Sequence, residues 1–222
     1  MKKIIYFIAM MSVFSGFSVN ALAGNVTELS MGATQADAVG DDWGLNVSAA
    51  WWNELNYMFA LGFNPQFVWF QWDKYVTDNN GDKIYQEKEV GGVVDEYPIV
   101  EQANAYLIPL HIVAKVQFPL SDTVTPYLKG GGGYTFMPLT YSDADSEMFG
   151  GATWTAAVGC QFRVPDIPNF RFFAEFGYRG SKLTNDDNVQ IDMSGVVIHA
   201  GVQYGLTRDK PRSATTDSGI VW

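Results

Sequence analysis

The stretch FRFFAEFGYRG at residues 170–180 alternates bulky apolar and polar side chains with a period of two. The first side carries mostly aromatic rings, namely Phe170, Phe172, Ala174, Phe176 and Tyr178. The second side includes three charged groups, Arg171, Glu175 and Arg179. Successive side chains of a β-strand point to opposite faces, so the pattern predicts a strand with one aromatic and one charged face.

The same alternation recurs along most of the chain and predicts eight antiparallel strands. Their approximate ranges are 26–36, 42–53, 56–73, 104–119, 125–141, 150–164, 170–182 and 189–206. Alternation is weak in the first range, which is included because a closed barrel of this kind has an even number of strands. Short connections alternate with long ones, which is typical of a barrel with short turns at one end and long loops at the other.

The chain divides into three predicted parts. Residues 1–23 join Lys2 and Lys3 to a short apolar run and end in the small-residue sequence ALA, which is typical of a secretory signal peptide. A transmembrane helix is the alternative for this segment, although its apolar run is short for one. Residues 24–206 are predicted to form the barrel, and the polar residues 207–222 to form a periplasmic tail.

Alternation alone does not decide which face of the barrel points inward. In a soluble β-sandwich the apolar face points in, whereas in a membrane barrel it points out to lipid. An eight-stranded barrel has room inside only for side chains, and the aromatic rings at 57–69 and 170–178 would overfill it. We therefore predict an all-β, transmembrane, up-and-down barrel in the cell outer membrane, with its rings facing lipid.

Charge and composition argue against several other functions. The formal net charge is −10, whereas nucleic-acid binding requires a basic face, so no nucleic-acid partner is expected. Cys160 is the single cysteine, which excludes an internal disulfide. The two histidines, His111 and His199, are too few for an ordinary metal site, so we expect no metal and no cofactor.

Three short motifs resemble the small eight-stranded outer-membrane barrels of the OmpA membrane domain and OmpX type, with OmpW-like barrels as the second choice. They are PYLKGGGGYTF (126–136), FRFFAEFGYR (170–179) and HAGVQYGL (199–206). The resemblance implies a non-enzymatic role in envelope structure or surface interaction, in contact with outer-membrane lipid and lipopolysaccharide.

The third motif is similar to the signal read by the barrel-assembly machinery. Its positions are filled by His199, Gly201, Tyr204 and Leu206. An aromatic residue is usual where Leu206 stands, and the chain continues to a second terminal aromatic candidate, Trp222. Either end is therefore a candidate for the assembly signal.

Strand alternation also predicts which charged residues face the lumen. These are Glu28, Lys115, Lys129, Arg163, Arg171, Glu175, Arg179 and His199. Charges in a narrow interior of low dielectric must pair or hydrate, so we expect an ion-pair network that plugs the barrel. The same set is compatible with a gate or narrow conduit.

Two alternative functions remain open from the sequence. A narrow channel for small solutes, as in OmpW-like barrels, is favoured by large inward residues near the outer end, namely Phe70, Trp72, Met137 and Met193. A lipid-modifying enzyme would need a nucleophile, a histidine and an acid at the outer rim, whereas both histidines fall at mid-strand or lower.

The external loops are predicted to be acidic, and the loop at 74–103 is the expected contact for a host or surface ligand. Within it, Asp78, Asn80, Gly81 and Glu87 have the spacing of a calcium loop, but Val76 replaces the first aspartate. A hairpin turn at Asn80-Gly81, between Tyr75-Val76 and Ile84-Tyr85, explains the same residues more simply.

Overall fold

The computed structural model describes residues 25–40, 42–75, 85–90, 93–98, 100–141 and 146–205. The strands, in chain order, are β1 (Asn25–Gln35), β2 (Trp43–Glu54), β3 (Phe59–Tyr75), β4 (Tyr85–Val90), β5 (Val93–Pro98), β6 (Val100–Gln117), β7 (Val124–Tyr141), β8 (Glu147–Val164), β9 (Ile167–Thr184), β10 (Gln190–Asp192) and β11 (Gly195–Gly205). A 3-10 helix, Asp37–Val39, follows β1. Among the described residues no helix is long and apolar enough to cross a membrane.

Eight of these strands close into an antiparallel barrel. The order around the wall is β9-β11-β1-β2-β3-β6-β7-β8, and pairing of β8 with β9 closes the ring. The predicted eight-stranded fold is therefore confirmed. Closure gives every strand a hydrogen-bonding neighbour on both sides, which is what hydrocarbon requires of a spanning backbone.

The aromatic face points outward, as the sequence predicts. In β9, Phe172 and Phe176 are 52% and 55% exposed, whereas Glu175 is 6% exposed. Ile112, in the middle of β6, is 72% exposed, while His111 beside it is buried. An apolar wall around a polar interior is the arrangement of a barrel that uses lipid as its outer solvent.

Prolines interrupt the pairing on three successive strands of the wall. Each of three ladders skips two consecutive pairs, one of which contains a proline: Pro65 in β2–β3, Pro109 in β3–β6 and Pro138 in β6–β7. The register is unchanged across each gap, so no residue is inserted. Proline has no backbone N–H, which accounts for a missing bond on one side of each residue.

The structure corrects two details of the prediction. The last strand begins at Gly195 rather than 189, because residues 190–192 pair separately with the end of β9. The predicted hairpin between Tyr75 and Tyr85 is wrong: Tyr75 pairs with Val100, which extends the barrel wall, and Tyr85 pairs with Pro98 within the β4–β5 hairpin.

Several predicted segments lie outside the described residues. They are the signal peptide at 1–23, the tail at 207–222, and the Asn80-Gly81 turn with most of the calcium-like spacing, which falls within 76–84.

Candidate functional site

The candidate functional site is the lumen, which is lined by alternate residues of all eight wall strands. The structure places every charged residue of the predicted lumen set on the inner face. Seven of them are buried, and Arg163, at the end of β8, is half-buried. We call the end with the connections at 55–58, 118–123 and 165–166 the short-turn end, which faces the periplasm in barrels of this kind.

One ion pair spans the lumen near the short-turn end. The Lys115 ammonium lies 2.7 Å from the Glu28 carboxylate, although the two residues stand on strands that are not neighbours. Gln203 donates a hydrogen bond to the same carboxylate at 3.4 Å. The ammonium also lies over the Trp52 and Tyr127 rings, 4.0 and 4.6 Å from their centroids. This ion pair therefore connects two separate parts of the barrel wall across the lumen.

A second group is centred on Glu175 of β9. Its carboxylate lies 2.5 Å from the Lys129 ammonium and 3.7 Å from Nδ1 of His199. Tyr127 donates its hydroxyl proton to the same carboxylate at 3.1 Å. Together with Glu28 and Lys115, these residues form what we call the ionic tier, namely Glu28, Lys115, Tyr127, Lys129, Glu175 and His199.

The lowest charged residues lie at the short-turn end itself. Arg171 donates a hydrogen bond to the Gln161 side-chain oxygen at 2.9 Å. Arg163 stands directly opposite Arg171 in the β8–β9 ladder, just before an irregularity in the pairing. The structure thus places two cations side by side at the periplasmic mouth.

Above the ionic tier lies a layer of amides, hydroxyls, one histidine and one arginine. Asn46 donates to Gln66, Gln66 donates to Asn64, and the Ser30 and Ser48 hydroxyls lie 2.6 Å apart. On the other side of the lumen, His111 contacts the Thr153 hydroxyl at 3.5 Å, and Arg179 contacts Thr34. We call this the polar layer.

The half of the lumen toward the long loops is filled by apolar side chains. This apolar tier comprises Ala36, Val39, Val68, Phe70, Ala103, Ala105, Leu107, Met137, Leu139, Phe149, Leu183 and Met193. Trp72, Tyr141 and Ile191 pack against it. Of these, sequence reasoning singled out only Phe70, Trp72, Met137 and Met193, and continuing the strand alternation to the upper strand ends would have found more of them.

The two histidines are held in separate parts of the lumen. His111 belongs to the polar layer and is fully buried, whereas His199 belongs to the ionic tier and is 3% exposed. Across the part of the chain that the structure describes, no three histidine, cysteine or acidic residues are grouped so as to hold a metal ion. The contacts shown for the two imidazoles are His111 with the Thr153 hydroxyl and His199 with the Glu175 carboxylate.

The predicted assembly motif lies along the last strand. His199 points inward, Tyr204 points outward and is 63% exposed, and Leu206 lies outside the described residues. Gly201 stands opposite Ser30, where an added Cβ would collide with the Leu29 carbonyl. The glycine is thus explained by the close approach of β1, and its part in assembly stays a prediction.

The closed sheet, the aromatic outer wall and the charged lumen define the class: this is a transmembrane β-barrel of the bacterial outer membrane. The chain belongs to the outer membrane protein beta-barrel domain family, whose model matches residues 9–207. No curated protein sequence matches the chain.

Solved structures with a similar fold include three outer-membrane barrels. Neisserial surface protein A shares 14% identity and a TM-score of 0.53, over 82% of this chain and 97% of that one. Ail of Yersinia pestis, solved with the heparin analogue sucrose octasulfate, shares 15% identity and a TM-score of 0.42, over 81% and 99%. The Escherichia coli protease OmpT shares 14% identity and a TM-score of 0.41, over 78% and 65%. The first of these likenesses supports the barrel fold.

Proposed function

We propose that this protein is a non-conducting, non-enzymatic barrel that serves envelope structure or surface interaction through its external loops. The observation that carries the proposal is that two tiers of buried side chains, one apolar and one ionic, line the lumen at different depths. Leu107, Met137 and Leu183 are fully buried in the apolar tier, and the ionic tier crosses the same lumen nearer the short-turn end.

Each tier opposes ion flow by a different physical effect. An ion entering the apolar tier would lose its hydration without gaining polar contacts, which is how hydrophobic constrictions block conduction. An ion entering the ionic tier would have to separate the Glu28–Lys115 or the Lys129–Glu175 ion pair. The separated partners would then be buried and uncompensated, which is costly. Two barriers in series support a plug rather than a pore.

A surface role is supported by the position of the long loop. The β4–β5 hairpin stands between β3 and β6 in the chain, at the end of the barrel opposite the short turns. Residues 76–99 contain six acidic and two basic residues, which favours a cationic contact surface over an anionic one. Of the predicted contact loop at 74–103, residues 74–75 and 100–103 belong to the wall strands β3 and β6, so the proposed contact segment is residues 76–99.

The proposed lack of enzymatic activity is supported by the positions of the two histidines. His111 is fully buried in mid-lumen, and His199 lies on Glu175 in the ionic tier. A group that acts on lipid must reach the membrane surface, and neither imidazole lies at the outer rim.

Single-channel recording in a planar bilayer tests the plug. We expect no resolved conductance steps from the intact protein. A variant that neutralises one pair of the ionic tier, Glu175→Gln, should also stay silent because the apolar tier remains closed. Stable, resolved steps from the intact protein would overturn the proposed closure.

A loop replacement tests the surface role. Replacing residues 76–99 with a short turn should leave heat-modifiable gel migration intact and should abolish the adhesion of phosphatidylcholine vesicles that carry the protein to polylysine-coated beads. Vesicles of this lipid have no net charge, so the adhesion reports the protein. The control replaces the shorter loop at 142–145 and should retain most of the adhesion. Equal adhesion with and without residues 76–99 contradicts the assignment of the contact segment.

A narrow channel for small apolar solutes is the second candidate. It is favoured by the apolar tier, since a lumen lined by Phe70, Met137 and Met193 would solvate such a molecule better than a charged one. Proteoliposomes that take up a small apolar dye faster than protein-free vesicles, without ionic conductance, would favour this function over the plug.

A further inference from the structure

Arg179 is a buried cation without an acidic partner among the described residues. It stands on β9 in the polar layer and is 1% exposed. Its one hydrogen bond joins Nη2 to the Thr34 hydroxyl at 3.5 Å, while Nε and Nη1 contact no acceptor of the described chain. The Thr34 hydroxyl in turn donates to the Val196 carbonyl at 3.0 Å, so Thr34 brings no charge to the site.

The buried acids that the structure places in the barrel are already engaged or lie far from Arg179. Glu28 is held by Lys115, and Glu175 by Lys129 and His199. Glu54 lies at the short-turn end of β2, whereas Arg179 pairs with Gly195, the first residue of β11 at its long-loop end. Arg179 therefore leaves one positive charge of the described lumen uncompensated.

A second donor without a partner lies in the same region of the lumen. Ser181 is the next inward residue above Arg179 on β9, and its hydroxyl has no partner among the described residues. His111 lies nearby, but its Nε2 donates to the Thr153 hydroxyl, so its Nδ1 is an acceptor. Thr153 donates to the Gly180 carbonyl, beside Arg179, at 2.9 Å, which ties the His111 side of the lumen to β9.

We propose that Arg179 holds a small monovalent anion, such as chloride, nitrate or formate, within the polar layer. A charge buried at low dielectric is costly unless it is paired and hydrogen-bonded, and a bound anion supplies both. Ser181, the next inward residue above Arg179 on β9, is the neutral donor that completes the site. The anion is small because an eight-stranded lumen holds little beyond side chains.

Thermal unfolding of the refolded full chain in detergent tests the site. The unfolding midpoint, followed by tryptophan fluorescence, is measured in sodium chloride, nitrate or formate and in sodium gluconate at equal ionic strength. Gluconate is much larger than these anions and controls for screening. We expect the small anions to raise the midpoint in a saturable way, by about 3 °C at several times the dissociation constant.

Two variants assign the effect to one residue. Arg179→Met should lose the difference between small anions and gluconate, whereas Lys182→Met, which removes an exposed cation on the same strand, should keep it. If Arg179→Met does not fold, Arg179→Lys keeps the charge and should weaken the anion dependence. Direct binding of nitrate to the unaltered protein, measured by calorimetry, provides a readout that needs no variant.

Two results would overturn the proposal. Equal midpoints in chloride and gluconate, with no nitrate binding by calorimetry, would mean that Arg179 is neutralised by the protein itself. An anion dependence that survives in Arg179→Met would place the bound anion elsewhere.

Discussion

The two halves of the lumen are lined by side chains of opposite chemistry. Toward the periplasm, Glu28 and Glu175 hold lysines across the barrel, and toward the long loops, Leu107, Met137 and Leu183 pack as in a soluble core. The outer half is thus apolar on both faces of the sheet, toward lipid and toward the lumen. The interior of a membrane barrel can therefore be polar over part of its length and packed with apolar side chains, like a soluble core, over the rest.

The difference matters for how each half responds to change. An ion pair depends on two specific partners, so removing one leaves the other buried and charged. Apolar packing depends on volume, so removing a side chain leaves a cavity whose cost varies with how far its neighbours relax. In the ionic tier, a substitution that removes a charge but keeps the size of the side chain should therefore lower stability. In the apolar tier, stability should instead depend on the volume of the apolar side chain.

The largest effect is expected from Glu175→Gln, which keeps the shape of the side chain and removes its charge. Lys129 would lose its carboxylate partner, and the free energy of unfolding should fall by about 3–5 kcal/mol. Urea unfolding in detergent measures the change. The control is Glu147→Gln, an exposed residue at the start of β8, which should shift the midpoint little. An unchanged midpoint in Glu175→Gln would mean that the ionic tier adds no stability.

A smaller effect is expected from Leu183→Ala in the apolar tier. Leu183 is fully buried, and its truncation should lower the free energy of unfolding by about 2–4 kcal/mol through lost burial and a residual cavity. Leu183→Met, which nearly conserves volume, should cost less than about 1.5 kcal/mol. Leu120→Ala is the matched control, because Leu120 is exposed in a short turn. Similar losses for Leu183→Ala and Leu120→Ala would contradict a packed tier.

The smallest effect is expected from Asp192→Asn at the long-loop rim, outside both tiers. A hydrogen bond from Ser194 lowers the pKa of Asp192, with a smaller contribution from Lys182, 3.8 Å away. A depressed pKa means that the carboxylate stabilises the fold above the ordinary aspartate pKa, near 4, and that this contribution is lost as pH falls further.

Because Asp192 is partly exposed, its substitution should cost below about 1 kcal/mol at neutral pH. The free energy of unfolding of the two proteins, measured from pH 7 to pH 3, should converge at the acid end. A gap that stays constant with pH would show that the charge of Asp192 is not the cause.

The sequence was sufficient for the inner face but insufficient for its contacts. Strict alternation in β9 and β11 assigned Arg171, Glu175, Arg179 and His199 to the lumen, where the structure places them. It did not pair Glu28 with Lys115, because β1 and β6 meet only across the lumen of the closed barrel.

Alternation also fails where both faces of a strand are apolar. Residues 67–70, Phe-Val-Trp-Phe, show no period of two, yet Phe67 and Trp69 point to lipid while Val68 and Phe70 enter the apolar tier. The apolar tier was therefore only partly visible in the sequence. The β4–β5 hairpin was missed because Tyr75 continues the barrel ladder instead of turning back.

The three proline gaps give the wall one compliant arc. Between β2 and β7, each ladder of neighbouring strands lacks two residue pairs, whereas the β7–β8 ladder is continuous from Val124 to Leu139. The β8–β9 ladder has a gap of the same size at residues 151–152, without a proline. A bilayer that thins or bends around the barrel is expected to deform the wall at these gaps first, since fewer bonds resist shear there. The strands of that arc also supply much of the apolar tier, so membrane tension and lumen packing are mechanically connected.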